Sequence, residues 1–211
     1  MRYFIARHGE TVFNAVRRMQ GEAAHTPLTR AGFAQANEIG AALAAHLGPA
    51  PDLTLWASPT GRALQTLAIA AEHLGLDWHR ARTDPRLNEM DMGAWSGRNY
   101  AEIDAETGGF VDRKAGLFTR CPPGGEWYDA IARRLRLWLD DMSAEPGDRL
   151  IVMHGISSRV LRGVLTGAPD RPLCGAPVAD PLPQGSVVCI EGGVETVTGR
   201  GSGDLGASGT A

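Results

Sequence analysis

Lysine is almost missing from this chain: among 211 residues there are twenty arginines and a single lysine, Lys114. With 21 basic and 24 acidic side chains the formal charge is −3. That balance excludes the broad cationic field by which proteins bind nucleic acid or anionic membranes, so neither partner is expected. It leaves room for a local cationic pocket. The arginine excess alone reads as compositional bias; only position can make it functional. Cysteine is scarce too. Cys121, Cys174 and Cys189 are scattered, odd in number and form no CxxC pair, which signals neither a disulfide framework nor a zinc site. A reducing compartment, the cytoplasm, is the expected location. Neither HxxxH nor HExxH occurs, so metal hydrolysis has no motif. Long apolar runs are absent: the most apolar helical stretch, 33–47, is broken by Gln35, Asn37, Glu38 and His46, and no membrane span is expected. No leader is read either, because a strand-like run starts at once and Arg7-His8 follow it.

What is present is a chain with 43% hydrophobic residues, long enough for one domain that buries its core without staples. Residues 2–6 are short, apolar and β-prone. Thr29 can cap a helix whose apolar spacing runs through Phe33, Ala36, Gly40, Leu43 and Leu47, stopped by Gly48-Pro49. Residues 53–57 make a second strand. Ser58-Pro59 is a helix start, with Leu64, Leu67, Ala71 and Leu74 as the stripe and Gly75 as the end. A weaker strand is expected at 79–83, a short helix at 100–106 and a long loop, with the composition of a lid, at 107–125. Trp127, Ile131, Leu135, Trp138 and Met142 mark an amphipathic helix ended by Pro146-Gly147. Residues 149–153 form the clearest strand, a helix carries Val160, Leu161, Val164 and Leu165, and 186–191 is expected as the last strand. Alternating strands and helices predict an α/β fold, a three-layer α/β/α sandwich around a mainly parallel sheet. The domain is expected to span 1–198, followed by a Gly/Ser-rich flexible tail over 199–211.

The residues after each strand carry the chemistry. Arg7-His8-Gly9 follow the first, Ser58 to Arg62 the second, Glu89 the third and His154-Gly155 the fourth. In open parallel sheets these strand ends form the binding crevice. Singly, each residue is ordinary: a histidine after a strand is usually a packing residue, and an isolated arginine or glutamate a surface charge. Together, two guanidinium groups and two imidazoles make a pocket for a phosphoryl group, whose oxygens match forked donors. A neutral histidine can attack phosphorus, arginines can hold the oxygens, and a carboxylic acid can protonate the leaving oxygen and then deprotonate water. No metal and no cofactor is needed. Glycine after both histidines is read as allowing the backbone close to a ligand.

Arg7-His8-Gly9-Glu10-Thr11 resembles the signature of the histidine phosphatase superfamily, the phosphoglycerate-mutase-like proteins. The likeness continues in order through Asn14, Gln20-Gly21, Pro27-Leu28-Thr29-xx-Gly32-xx-Gln35-Ala36, Ser58-Pro59-xx-Arg62-Ala63-x-Gln65-Thr66, Leu87-Asn88-Glu89-xxx-Gly93-x-Trp95-x-Gly97, Pro122 to Glu126, and Val152-Met153-His154-Gly155. The resemblance implies that His8 is the phosphorylated nucleophile and Glu89 the acid/base. Arg7, Arg62 and His154 would bind phosphoryl oxygens, with Asn14 and the backbone near Gly21 as added donors. One departure is His25-Thr26 where the family often has Asp before Pro-Leu-Thr.

The family includes hydrolases and mutases. Mutases carry Arg and Tyr just after the acid and a lysine further on. Here the segment reads Glu89-Met90-Asp91-Met92-Gly93, the lysine position is Tyr100, and Asp91 is expected to repel a carboxylate substrate. These features resemble the phosphatase branches: a phosphomonoester hydrolase of small phosphorylated metabolites. The alternatives are a 2,3-bisphosphoglycerate-dependent mutase and a non-catalytic member that binds a phospho-ligand or a protein.

Overall fold

The computed structural model of the protein describes residues 1–205. In chain order the elements are β1 (Arg2–Arg7), α1 (Val12–Ala15), α2 (Arg30–Leu47), β2 (Leu53–Ala57), α3 (Gly61–Leu74), β3 (Arg82–Thr83), α4 (Tyr100–Thr107), β4 (Val111–Asp112), β5 (Leu117–Phe118), α5 (Tyr128–Met142), β6 (Asp148–Met153), α6 (Gly155–Leu165), β7 (Asp170–Arg171), β8 (Ala176–Pro177), β9 (Val187–Glu191) and β10 (Val194–Gly199). Six strands form one sheet in the order β10-β9-β1-β6-β2-β3. The run β1-β6-β2-β3 is parallel, and β9 and β10 add on antiparallel. This is the expected three-layer α/β architecture.

Alternation along the central strands divides the core. Phe4, Ala6, Leu55, Ala57, Leu150 and Val152 point to one face and pack with Ile39 and Leu43 of α2 and Leu67 and Leu74 of α3. Ile5, Trp56, Ile151 and Met153 point to the other and pack with Ile131, Leu135 and Trp138 of α5 and Val160 and Leu161 of α6. Burial on both faces is why these strands read as unbroken apolar runs.

Several expectations need correction. The helix after β2 starts at Gly61, not at Ser58-Pro59, which form the turn before it. The strand expected at 79–83 is mostly a single helical turn, Trp78–Arg80, followed by the two-residue β3. Strand β9 is not the last: Gly192 and Gly193, with φ of 56° and 81°, turn the chain back into β10. Two consecutive left-handed residues suit the twist of a tight hairpin, and glycine adopts them without steric cost.

The stretch 107–125 is not a bare loop either. It folds into the β4–β5 hairpin, with Leu117 and Phe118 buried and the Phe118 N–H donating to the Tyr128 hydroxyl at 2.7 Å. The tail read from Gly199 onward is bonded through its described part. Gly199 closes β10, Gly201 N–H donates to Ser186 Oγ, Ser202 N–H to Glu38, and Gly203 N–H to the Gln184 carbonyl. Residues 206–211 of that tail lie outside the described residues.

Gly9 and Gly32 are where the loop after β1 crosses the start of α2. A Cβ on Gly9 would lie 2.2 Å from the Gly32 carbonyl oxygen, and one on Gly32 would lie 2.0 Å from that of Glu10. Gly9 therefore admits another backbone rather than a ligand. Because main chain meets main chain, no side chain can yield. Gly32→Ala is expected to lower stability in urea melts by about 1–3 kcal/mol, the usual cost of overpacking. Gly61→Ala, whose Cβ would meet only the Ala24 carbonyl at 3.4 Å, is the control and should not destabilise.

Candidate active site

The carboxyl ends of the four parallel strands bring the expected residues to one edge of the sheet. Arg7 is the last residue of β1, and His8 N–H extends the ladder to the Met153 carbonyl at 2.9 Å. His154 follows β6 directly and precedes α6. Arg62 is the second residue of α3, which follows β2. Glu89 lies just beyond the helical turn Pro85–Leu87 that follows β3. Arg7, His8, Asn14, Gly21, Arg62 and Glu89 all line one cavity of about 150 Å³. His154 stands behind that lining, with no exposed surface and its ring 5.1 Å from that of His8, edge to face.

Hydrogen-bond partners define the tautomers of both rings. His8 Nδ1 lies 2.7 Å from the Gly9 carbonyl, which can only accept. Nδ1 therefore carries the proton, and the neutral ring presents an unprotonated Nε2. His154 Nδ1 lies 3.2 Å from Arg62 Nε, which can only donate. That ring carries its proton on Nε2, which is buried and has no partner among the described residues. Burial first, then the charges of Arg62 and Arg7, hold His8 well below the ordinary histidine range. Burial first, then Arg62, does the same for His154. One ring thus offers a lone pair and the other a donor, both uncharged at neutral pH.

Arg62 is fully buried. Besides His154 it donates to the carbonyls of Ala23 at 2.6 Å and Gly21 at 2.8 Å and to the Thr26 hydroxyl at 3.0 Å. Burial lowers its pKa to about 10, so it remains a cation. Most of its donors hold the loop 20–26 in place, and the role seen for Gly21 is to accept from Arg62. Arg7 also has a buried Nε without a partner among the described residues, while its Nη1 donates to the Asp204 carbonyl at 3.3 Å. Asp204 and Leu205 line the same cavity.

Two amides complete the donor set. Asn14 Oδ1 accepts from Thr11 N–H and Gln184 Nε2, each at 3.1 Å, which leaves its own Nδ2 for the cavity. Gln20 Oε1 accepts from the Thr26 hydroxyl at 2.8 Å and lies as close to that of Thr11. Gln20, which also lines the cavity, was not among the expected site residues. Its signal was the Gln20-Gly21 pair, and only the threonine contacts reveal which end of the amide is free.

Glu89 occupies the N-terminus of α6. Its carboxylate accepts from the N–H groups of Ile156 at 3.1 Å, Ser157 at 3.0 Å and Met90 at 3.0 Å, where the helix dipole favours an anion. Asp91, expected to repel a carboxylate ligand, does not line the cavity. Its Oδ1 accepts from Gly93 N–H at 2.9 Å. Tyr100, at the mutase lysine position, does line it; burial and Glu89 push its hydroxyl up to about 12, so it stays neutral. Lys114 is exposed in the β4–β5 turn and does not line the cavity. Arg17, Arg18 and Arg159 line the cavity beyond the histidines. Among the described residues no three His, Cys, Asp or Glu side chains gather as a metal site requires, and no helix is long and apolar enough to cross a membrane.

An imidazole with a bare Nε2 among guanidinium and amide donors, with a carboxylate lining the same cavity, is an arrangement that can support phosphoryl transfer. Residues 3–193 match the family model of the Histidine phosphatase superfamily (branch 1), and the chain belongs to that family. It is similar to proteins named probable phosphoglycerate mutase GpmB. The one from Proteus mirabilis (strain HI4320) is 33% identical over 175 residues, 80% of this chain and 76% of that one. The one from Enterobacter sp. (strain 638) is 36% identical over 172 residues with the same coverage. Among solved structures, the mycobacterial glucosyl-3-phosphoglycerate phosphatase complexed with VO3 has a TM-score of 0.74 at 25% identity, covering 96% of this chain and 99% of that one. A putative alpha-ribazole-5′-P phosphatase from Escherichia coli has a TM-score of 0.70 at 25% identity, covering 96% of each chain.

The tautomers and depressed basicities can be read directly. Long-range ¹⁵N NMR should show His8 protonated on Nδ1 and His154 on Nε2, with neither ring titrating between pH 8 and 6. A titration midpoint near the ordinary value of about 6.5 for either ring would contradict the buried, arginine-flanked environment.

Proposed function

We propose that the protein is a metal-independent phosphomonoester hydrolase that acts on a small phosphorylated metabolite through a phosphohistidine. The observation that carries this reading is His8: its Nδ1 is committed to the Gly9 carbonyl, so Nε2 is a free base facing a cation-lined cavity. Nε2 attacks phosphorus and the ester P–O bond breaks. Glu89, seated as a carboxylate, takes up a proton from solvent as the anionic ester enters beside it and gives that proton to the leaving oxygen. Arg7, Arg62 and the amides of Asn14 and Gln20, which line the cavity, bear on the phosphoryl oxygens, where charge sits in the transition state, and His154, behind that lining, joins them where the bound ester reaches its buried, unpartnered Nε2–H. Water then attacks the phosphohistidine, Glu89 takes its proton, and phosphate and free His8 result. The same reading places the enzyme in the cytoplasm, consistent with free thiols at Cys121, Cys174 and Cys189, with a small phosphate ester as its partner.

Hydrolysis is favoured over mutase chemistry by the neutral Tyr100 hydroxyl and by a cavity lining that does not include Lys114, and by resemblance to solved phosphatases. The second reading, a bisphosphoglycerate-dependent mutase, is supported by the names of the GpmB relatives and by Arg17, Arg18 and Arg159 along the cavity. A non-catalytic role has no such support, since no expected site residue is missing. Phosphoglycerate isomerisation stimulated by 2,3-bisphosphoglycerate, in place of net phosphate release, would establish the mutase reading.

Wild-type enzyme should hydrolyse an aryl phosphate in excess EDTA and carry an acid-labile phosphate during turnover. His8→Ala should lose both; a label that persists in that variant would move the nucleophile elsewhere. Glu89→Gln separates the proton step. It should lower kcat/KM by about 10²-fold or more for alkyl phosphates, the usual scale of general acid catalysis, and far less for activated aryl esters, which leave without a proton. Equal slowing of both would assign Glu89 a structural role.

A further inference from the structure

The segment that presents Glu89 is gripped from behind by an ion pair that does not touch the cavity. Arg134 of α5 meets Glu126 side by side, with Nε to Oε1 and Nη2 to Oε2 both 2.9 Å. The same guanidinium donates to three main-chain carbonyls of the acid segment: that of Arg86 through Nη1, that of Asn88 at 2.9 Å and that of Glu89 at 3.2 Å through Nη2. Glu126 adds a fourth tie, its N–H donating to the Asp91 carbonyl at 2.9 Å. Both side chains of the pair are 17% exposed, so the contact is largely shielded from solvent. Neither residue lines the cavity.

We propose that Arg134, oriented by Glu126, is a positioning residue that fixes the backbone of residues 86–91 so that the Glu89 carboxyl is held in the cavity that the His8 imidazole also lines. This rests on Glu89 acting as the proton donor. The chemistry requires the planar fork: the pairing with Glu126 sets the guanidinium plane, and the remaining N–H bonds then reach the carbonyls of Arg86, Asn88 and Glu89. An ammonium group could neutralise Glu126 but could not reach all three carbonyls in fixed directions. The carboxyl itself is seated on the N–H groups of Ile156, Ser157 and Met90. The side chain is thus held from α6 and the backbone from α5, and a shift of either changes the distance to the leaving oxygen. Proton transfer is sensitive to displacements that leave phosphate binding intact.

The test compares Arg134→Gln, Arg134→Lys and Glu126→Gln with Glu89→Gln on p-nitrophenyl phosphate and on glycerol phosphate. Arg134→Gln should lower kcat/KM for glycerol phosphate at least tenfold and for p-nitrophenyl phosphate less than threefold. Its inhibition by orthovanadate should remain unchanged. Lysine should restore part of the loss, and Glu126→Gln should repeat the selectivity in weaker form. Equal losses on both esters, or no loss, in a variant with a wild-type circular dichroism spectrum would overturn the proposal. If Arg134→Gln does not fold, Glu126→Gln decides: absence of ester selectivity there overturns it too. Should Glu89→Gln itself show no selectivity, the acid/base assignment of Glu89 fails and the positioning role with it. Selectivity in Glu89→Gln alone refutes only the positioning role.

Discussion

Arg62 holds a positive charge with no exposed surface at the point where β1, β6 and α3 meet. A desolvated cation of this kind is costly unless its N–H groups are met by acceptors, and that demand shapes everything around it. The loop 20–26 turns the carbonyls of Gly21 and Ala23 inward to accept from it. Gly21 can do so because its φ is +48° and because a Cβ there would come within 3.0 Å of Met92. Thr26 accepts from Arg62 and donates to Gln20, linking the buried charge to an amide at the cavity. Arg62 Nε also dictates which nitrogen of His154 is bare, and hence which carries the proton toward the site.

The same device recurs elsewhere in the fold and gives the arginine excess a physical use. Arg159 donates to the carbonyls of Ala179, Gly116 and Ala115, tying the β4–β5 hairpin to α6. Arg149 reaches those of Met142, Glu145 and Gly147 beneath the end of α5. Arg134 treats the Glu89 segment likewise. A guanidinium satisfies several divergent carbonyls from one buried stem, which an ammonium on a flexible chain does poorly. The irregular connections of this protein are held by arginine rather than by extended strand ladders, in keeping with a chain that has one lysine.

Much of the frame was legible because it rests on periodicity. β1, β2 and β6 are apolar runs buried on both faces, and α2, α3 and α5 show helical stripes ended by Gly48, Gly75 and Pro146-Gly147. The sheet-edge principle then placed Arg7, Arg62, Glu89 and His154 together before any coordinates. What escaped notice had weak local signals. β10 carries exposed Val194 and Val197 and is paired only through β9, so its pattern is that of a polar edge. The β4–β5 hairpin depends on a distant hydroxyl, Tyr128, and a distant guanidinium, Arg159. Asp91 was read by charge alone, whereas its direction is set by the Gly93 N–H. The tail was read by composition, but glycine and serine supply backbone and hydroxyl donors that find Gln184, Ser186 and Glu38.

The residue pattern alone fixes the layer architecture, the order of the motifs and the identity of the residues at the strand ends. These follow from local propensity, burial period and spacing, which are properties of neighbours along the chain. The protonation pattern of His8 and His154, the use of Arg62 and Arg134 as clamps, the orientation of the Gln20 amide and the placement of Asp91 outside the cavity are set by the folded chain. Some of these partners are neighbours, as Gly9 is of His8 and Gly93 of Asp91, and others lie tens of residues away, as His154 does from Arg62 and Glu89 from Arg134, but in each case the fold sets the direction in which the groups face. A hydrogen-bonding group buried from water takes the partner that the fold brings to it, whatever its neighbours in sequence.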